Sequence, residues 1–78
     1  MTELELKVCQ IVREIAGITD DGAITLATRV NDLNIDSLET FALQMDLNNA
    51  FNVEIPIEKF SLCENIDSIC HAIEDEQS

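Results

Sequence analysis

The sequence predicts an all-α fold: a small four-helix bundle, three helices longer and one short, with a long loop between helices one and two. Three observations predict it. Apolar residues recur at helical spacing over residues 2–16, 37–51 and 66–73, and each stretch opens beside a residue able to cap a helix. Residues 18–36, by contrast, hold no sustained period.

In the first stretch, Leu4, Val8, Ile11, Val12 and Ile15 share one helical face, and Thr2 with Glu5 reads as a capping box. Gly17 follows the last periodic residue, where a left-handed C-terminal position is most easily met, and Lys7 and Arg13 lie on the opposite surface. Residues 18–36 carry Ile18, Ile24, Leu26, Val30, Leu33 and Ile35, too apolar for a free linker. A loop pinned to the core is expected, with a short helical turn near residues 23–26.

Asp36 is a good N-cap, since its carboxylate can accept hydrogen bonds from backbone N–H groups that the first helical turn leaves unpaired. Helix two then runs from Ser37 to Phe51 and is apolar on two sides. Leu43, Leu47, Ala50 and Phe51 cluster on the expected core face, while Leu38, Phe41 and Met45 cluster almost opposite, with Glu39 and Asp46 along one edge. The second stripe either meets a partner or packs beneath the long loop. Pro56 suits the start of a short helix over residues 57–61, and Asn65 can cap a last helix whose Ile66, Ile69, Cys70 and Ile73 face the core before a frayed tail at 74–78.

The 78 residues read as a single domain spanning 1–78, monomeric, with sixteen acidic residues against four basic ones and a formal charge of -12. That charge opposes binding to nucleic acid or to anionic membrane and favours basic protein partners. The N-terminus lacks the basic and apolar regions of a leader, and no segment approaches a membrane span, so a cytoplasmic protein or a processed organellar form is expected. Cys9, Cys63 and Cys70 lack ligand spacing and read as buried reduced thiols; His71 reads as a surface or helix-packing residue, so no metal is expected. Asp32, Asn34 and Asp36 match the first ligands of an EF-hand loop, but Ser37 stands where glycine is needed and Leu43 where the bidentate glutamate is needed. No nucleophile and base are placed together by sequence, which argues against an enzyme.

Ser37 is the residue whose position carries chemistry. A hydroxyl at the first helical residue projects beside unpaired N–H groups and the positive end of the helix dipole, a favourable field for a phosphoester. An ordinary helix-start serine is the plain alternative.

Leu33-Asn34-Ile35-Asp36-Ser37-Leu38 resembles the L-G-x-D-S-L signature of acyl carrier proteins. Phe51-Asn52-Val53-Glu54-Ile55-Pro56 is similar to the F-x-[IV]-x-I-P that follows helix two in that family, and with Met45, Leu47 and the terminal amphipathic segment the likeness covers nearly the whole chain. The resemblance implies covalent 4'-phosphopantetheine on Ser37, transferred from coenzyme A by a holo-acyl-carrier-protein synthase or another phosphopantetheinyl transferase. Asp36 matches the position that helps meet Mg2+ in that complex. It further implies a non-catalytic carrier of acyl intermediates as thioesters, for fatty-acid, polyketide or another specialised acyl pathway.

Its partners would be acyl-loading and acyl-processing enzymes with basic docking patches, meeting Leu38, Glu39, Phe41, Met45, Asp46, Glu54 and Ile55. The chain departs from the family where helix two is usually most acidic, at Ala42, Asn48 and Asn49, and Asn34 replaces the usual glycine; a dedicated carrier in a specialised pathway is expected. Two other readings stay open: a peptidyl or aminoacyl carrier, and an acidic helical interaction module with Ser37 unmodified.

Self-repulsion at a charge of -12 loosens the compact state, so added salt or divalent cations should raise the melting temperature; a thermal melt indifferent to both would contradict this.

Overall fold

The computed structural model describes residues 1–20 and 22–78. Four α-helices follow one another among these residues: α1 (Glu3–Ala16), α2 (Ser37–Phe51), α3 (Ile57–Ser61) and α4 (Ile66–Gln77). Helix α1 packs on α2 and α4, and α3 bridges α2 and α4. No described helix is long and apolar enough to cross a membrane.

Each helix starts and stops for a local reason. Thr2 and Glu5 form the expected capping box of α1, and Gly17 closes it at φ 71°, in the left-handed region where glycine meets no Cβ clash. Helix α2 ends at Asn52, also left-handed at φ 54°. Pro56 precedes α3 as its N-cap, and the side-chain oxygen of Asn65 accepts from the Ser68 N–H at 2.8 Å to begin α4. The tail expected to fray is helical: α4 continues to Gln77.

The core is built from Val8 and Val12 of α1, Leu43 and Leu47 of α2, Phe60 of α3, and Ile66, Ile69 and Ile73 of α4, joined by Ile55 from the α2–α3 turn. Each aliphatic side chain buried in this way contributes roughly 1.5–3 kcal/mol relative to exposure. In α2 the burial is rotated slightly from the expected face. Leu43 and Leu47 are fully enclosed and Phe51 half-buried, but Ala50 is exposed and Gln44 takes a place in the interior.

The long loop is pinned in two ways. Ile24 and Leu33 enter the core, and Ile18, Leu26, Val30 and Ile35 pack against it. Backbone bonds then tie the loop to the start of α4: Val30 N–H donates to the Glu64 carbonyl at 2.9 Å, Ile66 N–H to the Thr28 carbonyl at 3.0 Å, and Asp67 N–H to the Leu26 carbonyl at 3.0 Å. The loop therefore supplies acceptors for the first N–H groups of α4, which helix geometry leaves unpaired. The helical turn expected near 23–26 lies instead at Val30–Leu33, as a 3-10 helix adjoining these ties.

Cys9 and Cys70 are buried, Cys63 is half-buried, and all three are free thiols. Burial raises the pKa of each, that of Cys70 from 9.0 to about 12. A group holding its proton more tightly when folded contributes stability that is intact below the unfolded value and lost as pH rises towards the folded one. Between about pH 8 and about pH 11 the melting temperature should therefore fall further in the native sequence than in Cys70→Ala, each measured against its own value at the lower pH.

Candidate functional site

The site is built where the pinned loop turns into α2. Asn34 follows the 3-10 helix at φ 58°, a left-handed conformation that asparagine tolerates better than most residues and glycine adopts freely. The asparagine that replaces glycine at this point thus keeps the turn.

Asp36 is extended and caps α2. Its Oδ1 accepts from the Glu39 N–H at 2.8 Å, and Glu39 Oε1 accepts in return from the Asp36 N–H at 3.3 Å. Thr40 adds a second hold, donating both its N–H and its hydroxyl to the Asp36 carbonyl at 2.9 Å. The box does not engage the N–H groups of Ser37 and Leu38, and it places Ser37 as the first helical residue, exposed. A phosphoester on Ser37 Oγ would stand at the positive end of α2, where an anion gains about 0.3–1 kcal/mol at an exposed site.

Beside Ser37 lies an open cleft of about 370 Å³. Ile35, Asp36, Ser37, Thr40 and Phe41 form one side, and Ile57 and Ser61 of α3 the other. This brings two predicted residues of the α2 start together with Phe41 of the predicted partner face. Along α2 the partner stripe is open to solvent, Leu38 at 77%, Phe41 at 52% and Met45 at 46% exposed, so it does not pack beneath the loop. Asp46 and Glu54 are exposed as well. A second cleft of about 480 Å³, between α1 and the loop, contains none of the predicted site residues.

Two expected partner contacts are placed differently. Ile55 is 1% exposed and belongs to the core, because its backbone is held inward: Gln44 Nε2 donates to its carbonyl at 2.8 Å, Asn48 Nδ2 donates to the same carbonyl at 3.3 Å, and its N–H donates to Asn48 Oδ1 at 3.0 Å. Glu39 is half-buried, with its carboxylate turned back on the cap. Asn48, read as a lost acidic contact, is thereby a structural clamp. Ile57, Thr40 and Ser61 of the cleft were not singled out by sequence reasoning, and no local signal marks them, since a five-residue helix holds too few positions to reveal which side faces inward.

Among the described residues no group of three or more His, Cys, Asp and Glu is arranged to hold a metal ion. His71 is exposed and lies 3.5 Å from Asp67 on the same helix.

The family model described as the phosphopantetheine attachment site matches residues 6–73. The chain belongs to that family. It is a phosphopantetheine-bearing carrier, holding the group covalently, and not itself an enzyme. An open hydroxyl at a capped helix start beside a cleft suits such a group, and carriers of this kind work with a phosphopantetheinyl transferase and with enzymes that process the cargo.

The cap can be separated from the charge that provides it. Asp36→Ala should cost about 1 kcal/mol, a fall of roughly 4–8 °C in melting temperature for a chain of this size, whereas Asp36→Asn should stay within a few tenths of a kcal/mol because asparagine caps equally well. Calorimetry on the two variants reads the difference.

Proposed function

We propose that Ser37 is the residue that carries 4'-phosphopantetheine and that the chain is an acyl carrier protein of a specialised pathway. The observation that carries this reading is the exposed Ser37 hydroxyl at the capped start of α2, opening onto the cleft towards α3. In the loading reaction Ser37 Oγ forms a bond to the phosphorus next to pantetheine in coenzyme A, the bond to adenosine 3',5'-bisphosphate breaks, and the hydroxyl proton passes to a base on the transferase. Asp36 directly precedes Ser37, and its carboxylate, one oxygen of which caps the Glu39 N–H, would help meet Mg2+ in the transferase complex. Once attached, the arm supplies a terminal thiol that holds acids as thioesters.

The α2 face then selects the enzyme. Leu38, Phe41 and Met45 offer an apolar strip, extended by Ile57 at 38% exposed, with Asp46 and Glu54 as free carboxylates. Basic patches on partner enzymes complement this edge and the overall charge of -12. Ala42, Asn48 and Asn49 take charge away from α2, and Asn48 is committed to Ile55, which supports recognition by a dedicated partner set over generic fatty-acid enzymes. In a reconstituted fatty-acid synthase the chain should turn over more slowly than a housekeeping carrier; an undiminished rate would remove the specialised role and leave the carrier function. The thinner acidic face also suits a peptidyl or aminoacyl carrier, which loading assays with amino acids would reveal.

Incubation with coenzyme A, Mg2+ and a promiscuous phosphopantetheinyl transferase should add one phosphopantetheinyl mass, and Ser37→Ala should abolish it. Asp36→Asn should be modified more slowly while its melting temperature holds. Absence of any increment with several transferases would return Ser37 to an ordinary helix-start serine on an acidic interaction module.

A further inference from the structure

Helix α2 carries a polar row that runs from its exposed start into its packed side: Ser37, Thr40, Gln44 and Asn48, spaced by three, four and four residues and hence on one face. The row starts at the attachment serine and ends at the Asn48 clamp on Ile55. Thr40 lies in the cleft, and its hydroxyl donates to the Asp36 carbonyl; Asn48 is paired to the Ile55 backbone through both ends of its amide. Gln44 is different.

Gln44 is only 8% exposed, and its Nε2 donates to the Ile55 carbonyl at 2.8 Å. That bond sets the orientation of the amide, since the reverse orientation would turn one carbonyl oxygen onto another. The remaining atom, Oε1, is enclosed and has no hydrogen-bond partner among the described residues. An enclosed amide oxygen without a donor has lost its hydration with nothing to offset it. Gln44 itself does not line the cleft, but it follows Thr40 of one wall by one helical turn, and its bonding partner Ile55 precedes Ile57 of the other wall by two residues, so the Gln44–Ile55 bond is a close neighbour in sequence of both walls. From Ser37 to Gln44 the helix rises seven residues, about 10 Å, a span shorter than an extended pantetheine arm.

We infer that Gln44 Oε1 is the acceptor for an N–H or O–H donor delivered into the bundle from Ser37, carried either on the arm or on the acyl group at its end. This rests on Ser37 being the attachment residue. The apolar part of the cleft, Ile35, Phe41 and Ile57, accepts the hydrocarbon, and Gln44 distinguishes a cargo that also brings a donor. A cargo of plain alkyl chain leaves Oε1 unmet; a hydroxyacyl or aminoacyl group satisfies it.

The test uses the full chain labelled with 13C and 15N, as apo protein, as holo protein, and loaded from hexanoyl and from 3-hydroxyhexanoyl coenzyme A. The readout is the side-chain carbonyl resonance of Gln44, which moves downfield when the oxygen accepts a hydrogen bond. A downfield move with 3-hydroxyhexanoyl and not with hexanoyl assigns the donor to the cargo; the same move already present in the holo form assigns it to the arm. A resonance unmoved in every loaded form overturns the inference, with Gln44 then a structural partner of Ile55 only, while a mass increment confined to Ser37 in the same samples keeps the attachment reading intact. No increment at all overturns both. Gln44→Met, which keeps length and burial and removes the acceptor, gives a second reading where the donor is on the cargo. It should lower the lifetime of the 3-hydroxyhexanoyl thioester relative to the hexanoyl one by about threefold to tenfold, the worth of one ordinary hydrogen bond, and an unchanged ratio in a folded variant whose carbonyl signal had pointed to cargo would overturn that assignment.

Discussion

The rotational setting of α2 is the constraint on which the rest depends. Leu43 and Leu47 are fully buried, and with 3.6 residues per turn their enclosure fixes the direction of every other side chain on the helix. Leu38, Phe41 and Met45 are left outside, Thr40 lines the cleft, Gln44 reaches the Ile55 carbonyl in the turn before α3, and Ser37 borders the cleft. Both ends of α2 hold that setting. At the start, the box between Asp36 and Glu39 and the doubled bond from Thr40 define the first turn; at the end, left-handed Asn52 donates its N–H to the Asn48 carbonyl while the Asn48 side chain holds Ile55. A helix with two apolar sides could rotate between alternative cores. These polar contacts make one rotation better satisfied than the other.

The long loop matters because it delivers Asp36 to that position. Its fixing points are distant in sequence: the carbonyls of Leu26 and Thr28 receive the first N–H groups of α4, and Val30 bonds back to Glu64. Helix α4 lacks an acceptor for those N–H groups without the loop, and the loop has few backbone partners without α4. The two are therefore mutually supporting. Together they bring the 3-10 helix and left-handed Asn34 to the place where the chain must reverse into the cap.

The sequence was most legible where structure is local. Capping residues at Thr2, Asp36 and Asn65, the glycine after α1 and the apolar period of α1 and α4 all act within one or two helical turns, and the helices begin where these signals lie. It was least legible where a polar group is answered from far along the chain. Gln44 looks like a surface residue until the Ile55 carbonyl, eleven positions on, is known to accept a hydrogen bond from its Nε2. Ala50 looks like core until Gln44 occupies the interior instead. Ile55 was expected among partner contacts, and its inward position follows from the same two amides on α2. Of the candidate site, the capped helix start at Asp36 and Ser37 and the apolar stripe of α2 were legible in the sequence as positions, but the second wall of the cleft was not, because Ile57 and Ser61 belong to a helix too short to have a legible face.

That second wall is also the more weakly held of the two. A single turn of helix is unfavourable on its own, so α3 exists through what it packs against. Phe60 is its buried anchor, and Lys59 reaches Glu76 of α4 at 3.5 Å across a partly exposed gap. Exposed pairs of that kind typically contribute well under 1 kcal/mol and weaken with salt. The facing wall, by contrast, stands on a 15-residue helix with Leu43 and Leu47 enclosed beneath it. A group entering the cleft therefore displaces α3 more readily than α2. Ser37 and the exposed stripe of Leu38, Phe41 and Met45 then stay fixed on the rigid side while the space beside them adjusts to what enters it.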